Sequence, residues 1–384
     1  MKGGSEFRVP SSLVGRTIIA GGERSAGFEF MGSLLVIGLL ASWGRAEETA
    51  VSTGTATPAV STGAATPAAS TGAVEAPRFV VSVPTADIRA EPKRVNGAAA
   101  LKNPYEADPL QESQLLYGER VKVLEEKAGW ARIEAVEQPE FTHGNAWAGY
   151  PGWVLKEDLA PEPGGYAPNA VVRVRYAKMT AAPSRKAEGV LLPAGSRLEV
   201  TFHKDVWTRV RRPGGADAWL PSEDVRLDAD APAGGQARRA AILETARLFL
   251  GEPYYWGGRA GHRKGEVDTP SVMDCSGLVN VAYRVAGIDV PRDAHEQYMK
   301  SFPLSSPADL KPGDLIFLAW VKDRDKITHV MIYAGADDVL EAVQEQNTVR
   351  QVSVKEKLGR PLKDIAVLSP VGDRLVYFGR LLPE

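Results

Sequence analysis

The chain has 384 residues, 44% of them hydrophobic, and its formal net charge is −2. This length allows two or three domains with ordinary buried cores. The near balance of charge gives no reason to expect nucleic acid, whose binding proteins carry basic patches. Cys275 is the one cysteine, which excludes an internal disulfide and a CxxC metal site.

Residues 1–46 have the pattern of an export signal. Residues 34–43 form an apolar run, shorter than the roughly 20 residues that span a bilayer, and a small-x-small sequence ends at Ala46. This pattern predicts cleavage near Ala46, after which no stable membrane span would remain. The true start is open, because Met31 is a second possible initiator. We expect an exported protein of the periplasm, the cell envelope or the exterior.

Residues 47–77 are rich in Thr, Ala and Pro, and they contain three Ser-Thr-Gly repeats. A segment with so little apolar bulk cannot offset the entropy cost of ordering. We therefore predict a flexible linker between the export signal and the folded part.

Residues 78–230 are short β-type runs broken by Gly and Pro, and they contain an internal repeat. Residues 118–133 match residues 195–210 with the same spacing between a glycine and a tryptophan. The repeat predicts two small β-barrels in tandem, at 78–160 and 161–230, and it resembles bacterial SH3-like domains. The first copy has an extra loop, and extra loops on a rigid scaffold often carry function.

Residues 236–384 change to helices followed by strands. Apolar spacing predicts helices at 236–250 and from Cys275 to Ala286. The predicted strands lie at 314–320, 328–334, 339–343, 349–354 and 375–382. Helices first and an antiparallel sheet afterwards indicate an α+β fold.

Cys275 follows Asp274 at the start of the second predicted helix. Unpaired backbone N–H groups and the positive end of the helix dipole lower the pKa of a thiol placed there, as a nucleophile requires. Two plainer interpretations stay open. A lone cysteine can be a small buried hydrophobe, and Asp274 is also an ordinary N-cap residue.

His329 is the histidine with an apparent orienting partner. It opens a predicted strand whose hairpin, folded symmetrically about Gly335, places it directly opposite Glu341. Opposed residues point to the same face with Cβ atoms about 5 Å apart. A carboxylate at that distance can fix the tautomer and orientation of an imidazole. A bulge in the turn would spoil this register.

Five runs in residues 236–384 resemble the NlpC family of papain-like cysteine peptidases. The runs are PYYWGG at 253–258, DCSG at 274–277, PRD at 291–293, KPGDL at 311–315 and HVMIY at 329–333. The resemblance implies Cys275 as nucleophile, His329 as base and Glu341 as the third residue, a position where relatives have His, Asn, Gln or Glu. Residues 259–273 replace a shorter link and are either a substrate-facing flap or an inert loop.

With its two barrels, the chain is similar to the γ-D-glutamyl-diaminopimelate (or -lysine) endopeptidases of this family, the dipeptidyl-peptidase VI type. The resemblance implies peptidoglycan-derived peptides with a free N-terminal L-Ala, and a first barrel that closes one end of the site. It implies no metal or organic cofactor. The implied substrate-binding residues are Tyr150, Glu112, Tyr254, Asp274 and Ser276, with Glu119 as a competitor for the role of Glu112.

Two other functions stay open. One is a catalytically inactive wall-binding protein, against which the intact Cys275, His329 and Glu341 argue. The other is a thiol acyltransferase or poly-γ-glutamate hydrolase on the same fold. The sequence does not decide between diaminopimelate and lysine, between murein recycling and wall remodelling, or between oligomeric states.

Overall fold

The computed structural model describes residues 78–93, 110–260 and 273–382. The expected export signal and linker lie outside the described residues, as does most of the 259–273 insertion. Among the helices in these three ranges, none is both long and apolar enough to cross a membrane.

The first part is an antiparallel sheet of seven strands in the order β3-β2-β6-β5-β4-β1-β7. Alternating apolar side chains from all seven strands meet in one buried core that includes Ile88, Leu115 and Ile133. The sheet must therefore curl around that core. Its strands are β1 (Arg78–Val81), β2 (Thr85–Arg89), β3 (Gln111–Leu116), β4 (Arg120–Lys127), β5 (Trp130–Glu140), β6 (Ala148–Leu155) and β7 (Leu159–Pro161).

The second part repeats this topology, with the strand order β10-β9-β13-β12-β11-β8-β14. Each strand has its counterpart seven positions earlier, so the internal repeat expected from the sequence is present as a repeated strand order. The strands are β8 (Ala170–Val172), β9 (Tyr176–Thr180), β10 (Gly189–Pro193), β11 (Arg197–Lys204), β12 (Trp207–Arg211), β13 (Asp217–Pro221) and β14 (Val225–Leu227).

The third part has helices packed on a sheet of order β15-β21-β16-β17-β18-β19, with β20 beside β21. The helices are α1 (Gly235–Arg247), α2 (Cys275–Val285), α3 (Ala294–Lys300) and α4 (Val354–Leu358). The strands are β15 (Phe302–Leu304), β16 (Leu315–Trp320), β17 (Asp323–Gly335), β18 (Asp338–Val343), β19 (Thr348–Ser353), β20 (Pro370–Val371) and β21 (Arg374–Arg380). The two predicted helices are present, whereas α3 and α4 were not predicted.

Helix α2 starts and stops where the local chemistry requires. The Asp274 side chain caps it by accepting a hydrogen bond of 2.6 Å from the backbone N–H of Gly277. A Cβ atom at Gly277 would lie 2.1 Å from the carbonyl oxygen of Gly258, so only glycine fits there. Gly287, with φ at +82°, follows the last turn.

A buried ion cluster joins the first part to the third. Glu119 is fully buried and accepts hydrogen bonds from Arg259, at 2.9 and 3.0 Å, and from Arg284 of α2. Burial raises the pKa of Glu119, but the two guanidinium groups outweigh it and hold this pKa at about 2. Glu119 thus serves structural contacts within the chain.

Candidate active site

Cys275 lies in the first turn of α2 with 9% of its surface exposed. Burial and the Asp274 charge raise the pKa of its thiol to about 12, although the backbone N–H groups of Val330 and Ser276 and the charge of Arg292 oppose this. The expectation of a lowered thiol pKa is therefore wrong, because desolvation outweighs the helix terminus. A base must take the proton before the sulfur can attack.

The ring of His329, on β17, is held by Glu341, on β18. Its Nε2 atom lies 2.8 Å from Oε2 of Glu341, whose side chain is fully buried. The contact expected between these residues is present, but the expected register is wrong. Tyr333 pairs with Val339, and the register shifts between Tyr333 and Gly335. His329 and Glu341 are therefore diagonal rather than directly opposed, which long side chains can still bridge.

Two further cations hold the Glu341 carboxylate. Arg350 donates to Oε1 at 3.0 and 2.8 Å, and Nζ of Lys357 lies 2.8 Å from Oε2. Burial raises the pKa of Glu341, but His329 and Lys357 outweigh it, so this pKa is about 2. An ionised carboxylate can only accept, so Nε2 of His329 carries a hydrogen and Nδ1 is left as the basic nitrogen.

Sequence reasoning missed both of these cations. Arg350 could have been found from strand pairing, since it lies directly opposite Glu341 in the β18–β19 ladder. Lys357 comes from the short helix α4, and no local pattern indicates that it reaches back to Glu341.

Asp274 and Ser276 lie on either side of Cys275 and are bound within the chain. The Asp274 carboxylate accepts from the N–H of Gly257 at 2.9 Å and from Arg292 at 2.8 Å, besides capping α2. The Ser276 hydroxyl lies 3.2 Å from Asp274 and accepts from Arg292 at 2.9 Å. Both side chains are almost fully buried, so they fix the geometry of the helix start.

Tyr150 of β6 is 3% exposed and forms a side-chain hydrogen bond with Asp293. Burial and the nearby Asp274 and Glu296 raise the pKa of Asp293 to about 6, against the opposing charge of Arg292. The Asp293 side chain keeps 39% of its surface exposed. Asp293 had no predicted role; the one sequence signal was its place in the PRD run.

Glu112 and Tyr254 complete the set of predicted substrate contacts. Glu112 is half-buried and close enough to Tyr150 to affect its pKa. Burial, followed by the charges of Cys275 and Asp274, raises the pKa of Tyr254. Among the described residues, no group of three His, Cys, Asp or Glu side chains could hold a metal ion.

The order of Cys275 at a helix start and His329 on a following strand is that of a papain-like hydrolase. Residues 251–361 match the model of the NlpC/P60 family. The chain therefore contains an NlpC/P60 domain, the domain of a family of peptidases and peptidoglycan endopeptidases.

Individual proteins agree with this assignment. The chain is 28% identical over 247 residues to the γ-D-glutamyl-L-lysine dipeptidyl-peptidase of Bacillus cereus, covering 62% of this chain and 69% of that protein. It is 34% identical over 135 residues to the peptidoglycan endopeptidase RipB of Mycobacterium tuberculosis, covering 34% and 54%. The crystal structure of an NlpC/P60 family protein from Bacillus cereus has a TM-score of 0.65 at 23% identity, covering 80% of this chain and 100% of that one.

Proposed function

We propose that this protein is an exported cysteine endopeptidase that hydrolyses the γ-D-glutamyl-diamino acid bond of muropeptides with a free N-terminal L-Ala. The observation that carries the proposal is the Tyr150–Asp293 pair, in which the first sheet meets the third part beside Asp274 and Arg292. The name of one relative, γ-D-glutamyl-L-lysine dipeptidyl-peptidase, supports the choice of a γ-D-glutamyl bond as the one that is cleaved.

Catalysis would be acyl transfer to and from Cys275. Nδ1 of His329 takes the thiol proton, sulfur attacks the γ-glutamyl carbonyl, and the proton passes to the leaving amine as the carbon–nitrogen bond breaks. Water then attacks the thioester, His329 takes a water proton, and its return to sulfur frees the acid and the thiol. Glu341 holds the ring throughout, and backbone N–H groups at the start of α2, including that of Cys275, would stabilise the oxyanion.

The free amine of the substrate would lie against the Tyr150–Asp293 pair. A charged ammonium group placed there without a partner would cost several kcal/mol. Asp293 supplies a carboxylate and Tyr150 a phenol oxygen, and Glu112 adds a second negative charge nearby. An acylated amine carries no positive charge for the carboxylate to attract, so such substrates would bind poorly.

The domain boundaries belong to the same proposal. Residues 78–160 and 161–230 would be SH3-like barrels, and residues 236–384 the peptidase domain. The identical strand order of the two sheets supports this division. Residues 1–46 would be the export signal and 47–77 the linker that separates the folded part from it.

The test is incubation of the purified protein with L-Ala-γ-D-Glu-meso-diaminopimelate, its lysine counterpart and intact murein, followed by mass analysis of products. We expect L-Ala-γ-D-Glu and the free diamino acid, and no product from the Cys275→Ala variant. Cross-linked products would indicate acyl transfer to an amine instead. Binding to murein without any cleavage would identify an inactive wall-binding protein.

A further inference from the structure

A cavity of about 680 Å³ is lined by His329 and by residues of the third part of the chain. It shares none of its lining residues with the Tyr150–Asp293 pair. Tyr254 and the catalytic His329 are two of its lining residues. The rest of the lining includes Trp256, Trp320, Thr328, Glu345, Lys357 and Arg374.

The proposed reaction indicates which part of the substrate this cavity would hold. The leaving amine receives its proton from His329, so the leaving group must lie on the His329 side of the scissile bond. The acyl part, with its terminal ammonium, lies towards Tyr150 and Asp293. The cavity is therefore where the released diamino acid would sit, and this step depends on the proposed function.

Arg374 is held in the cavity wall in a fixed orientation. It pairs directly with Trp320 across the β16–β21 ladder, and its guanidinium carbon lies 3.2 Å from the centre of the indole ring. One of its terminal nitrogens, Nη1, donates to the hydroxyl of Thr328 at 3.0 Å. Asp373 is its one acidic neighbour in the described residues, at 3.7 Å and 76% exposed. A guanidinium stacked in this way keeps an edge for a planar anion.

The other fixed cation of the cavity differs from Arg374. Lys357 lies 2.8 Å from the buried Glu341 carboxylate, so its ammonium group is held by a partner within the chain. Glu345 is exposed at the same cavity. The cavity thus offers one oriented guanidinium and, with Glu345 and Asp373, carboxylates for an ammonium group. This combination fits an amino acid that carries both charges.

We propose that Arg374 binds a carboxylate of the departing diamino acid, forming the specificity contact of the leaving-group site. The planar guanidinium of arginine can bind a carboxylate through two parallel hydrogen bonds. It is therefore better suited to this role than the ammonium group of lysine. Diaminopimelate carries a carboxylate at each end, whereas lysine carries one, at its α-carbon. The proposal therefore concerns which leaving group this enzyme accepts.

The experiment compares kcat/KM for three peptides that share L-Ala-γ-D-Glu and differ in the leaving group: meso-diaminopimelate, L-lysine and L-lysine amide, which has no carboxylate. We expect the native protein to prefer diaminopimelate over lysine amide by about tenfold or more. Arg374→Gln should bring this ratio close to one, and Arg374→Lys should restore part of it. The peptide that ends in lysine keeps the α-carboxylate alone. If its kcat/KM matches that of the diaminopimelate peptide, the α-carboxylate is bound; if it matches that of the amide, the second carboxylate of diaminopimelate is bound.

Two variants act as controls. Lys322→Gln removes a positive charge 5.8 Å from the same tryptophan but outside the cavity lining, and it should leave the ratio unchanged. Thr328→Val removes the hydrogen bond that orients the guanidinium, and it should lower the ratio by less than Arg374→Gln does. Thermal melting checks that each variant is folded.

A binding measurement separates this proposal from the proposed function. Calorimetry on Cys275→Ala, with and without Arg374→Gln, should show the same preference for the diaminopimelate peptide and the same loss. Equal kcat/KM for the three peptides in the native protein, or an equal fall for all three in Arg374→Gln, would overturn the Arg374 contact and leave the function standing. Absence of any hydrolysis would overturn the function, while binding still decides the contact.

Discussion

The two seven-stranded sheets have the same strand order and differ in how they meet the third part of the chain. In the first, β5 has eleven residues, and it continues into a long hairpin with β6. In the second, β12 has five residues, and a short turn leads to β13. The two sheets therefore share one topology and differ in the length of this hairpin.

The long hairpin reaches the part of the third region that surrounds Asp293. The backbone N–H of Arg292 donates to the carbonyl of Pro139 at 3.2 Å. The backbone N–H of Thr142 donates to Glu296 of α3 at 3.1 Å. In the second copy the position that corresponds to Tyr150 is Ala216, in an exposed turn. Added length thus brings one copy into the candidate site and leaves the other outside it.

The largest expected effect on stability comes from Glu119, whose equivalent in the second sheet is Ser196. Glu119→Ala leaves Arg259 and Arg284 buried without their partner, and we expect it to lower the free energy of unfolding by about 3–5 kcal/mol. Its counterpart Ser196 is buried, and its hydroxyl has no partner among the described residues. Ser196→Ala should therefore change the free energy by less than about 0.5 kcal/mol. Urea denaturation measures both.

The same cluster predicts a dependence of stability on pH. The pKa of Glu119 is lowered to about 2 in the folded protein. Its contribution is thus present above the unfolded value of about 4.3 and is lost as the pH falls towards 2. Denaturation of native protein and Glu119→Ala at a series of pH values should show the two stabilities converging in acid. A constant difference would contradict this assignment.

Shortening the first hairpin to the length of the second should remove the preference for free amines. We expect the ratio of kcat/KM for L-Ala-γ-D-Glu-diaminopimelate over its N-acylated form to fall from about 10² or more towards one. Hydrolysis by Cys275 should persist, because the catalytic pair lies in the third part. Retained selectivity in a folded variant would show that the hairpin does not gate the site.

Loss of Glu341 should lower the rate on all peptides, whereas the shortened hairpin should change only the selectivity between them. Glu341→Ala releases the His329 ring and should lower kcat by about 10²-fold or more on free and acylated peptides alike. Glu341→Gln still accepts a hydrogen bond and should keep part of the activity. Loss on one peptide class alone would mean that Glu341 serves binding rather than the orientation of the base.

Asp293 should make amine recognition depend on pH. Its pKa is raised to about 6 through burial, Asp274 and Glu296, against Arg292, with Tyr150 as hydrogen-bond partner. The carboxylate therefore gains a proton as the pH falls through about 6 and loses its attraction for an ammonium group. We expect KM for the free-amine peptide to rise below that pH in the native protein and to be nearly flat in Asp293→Asn. A matching rise in the variant would contradict the role.

Tyr150→Phe should have the smallest effect. It removes one neutral hydrogen-bond partner while Asp293 keeps its charge, so we expect a loss of about threefold to tenfold in kcat/KM on the free-amine peptide. Acylated peptides should be unaffected. A loss as large as that of the shortened hairpin would make the phenol, rather than the carboxylate, the main contact.

The sequence alone determined the elements whose signals are local. The Gly-to-Trp spacing identified the repeated sheets, and an apolar face after Asp274 identified α2 with Cys275 in its first turn. The His329–Glu341 contact also followed from a two-strand pattern, although its register did not. Gly335 pairs with Asp338, so the chain turns at Ala336 and Asp337 rather than at Gly335, and a bulge between Tyr333 and Gly335 changes the pairing by one further residue. The alternation of side chains along a strand does not fix where its turn lies.

Tertiary structure alone decided how these elements combine into a site. The Cys275 thiol pKa is raised rather than lowered, because burial depends on everything packed around the sulfur. Lys357 reaches the Glu341 carboxylate, and Arg374 reaches the cavity that His329 also lines. Both come from elements distant in sequence from Cys275. The proposed role of Asp293 in amine binding depends on Tyr150, which the folded chain brings beside it. Desolvation and long-range contacts are set by the packed fold, and so no segment of sequence encodes them by itself.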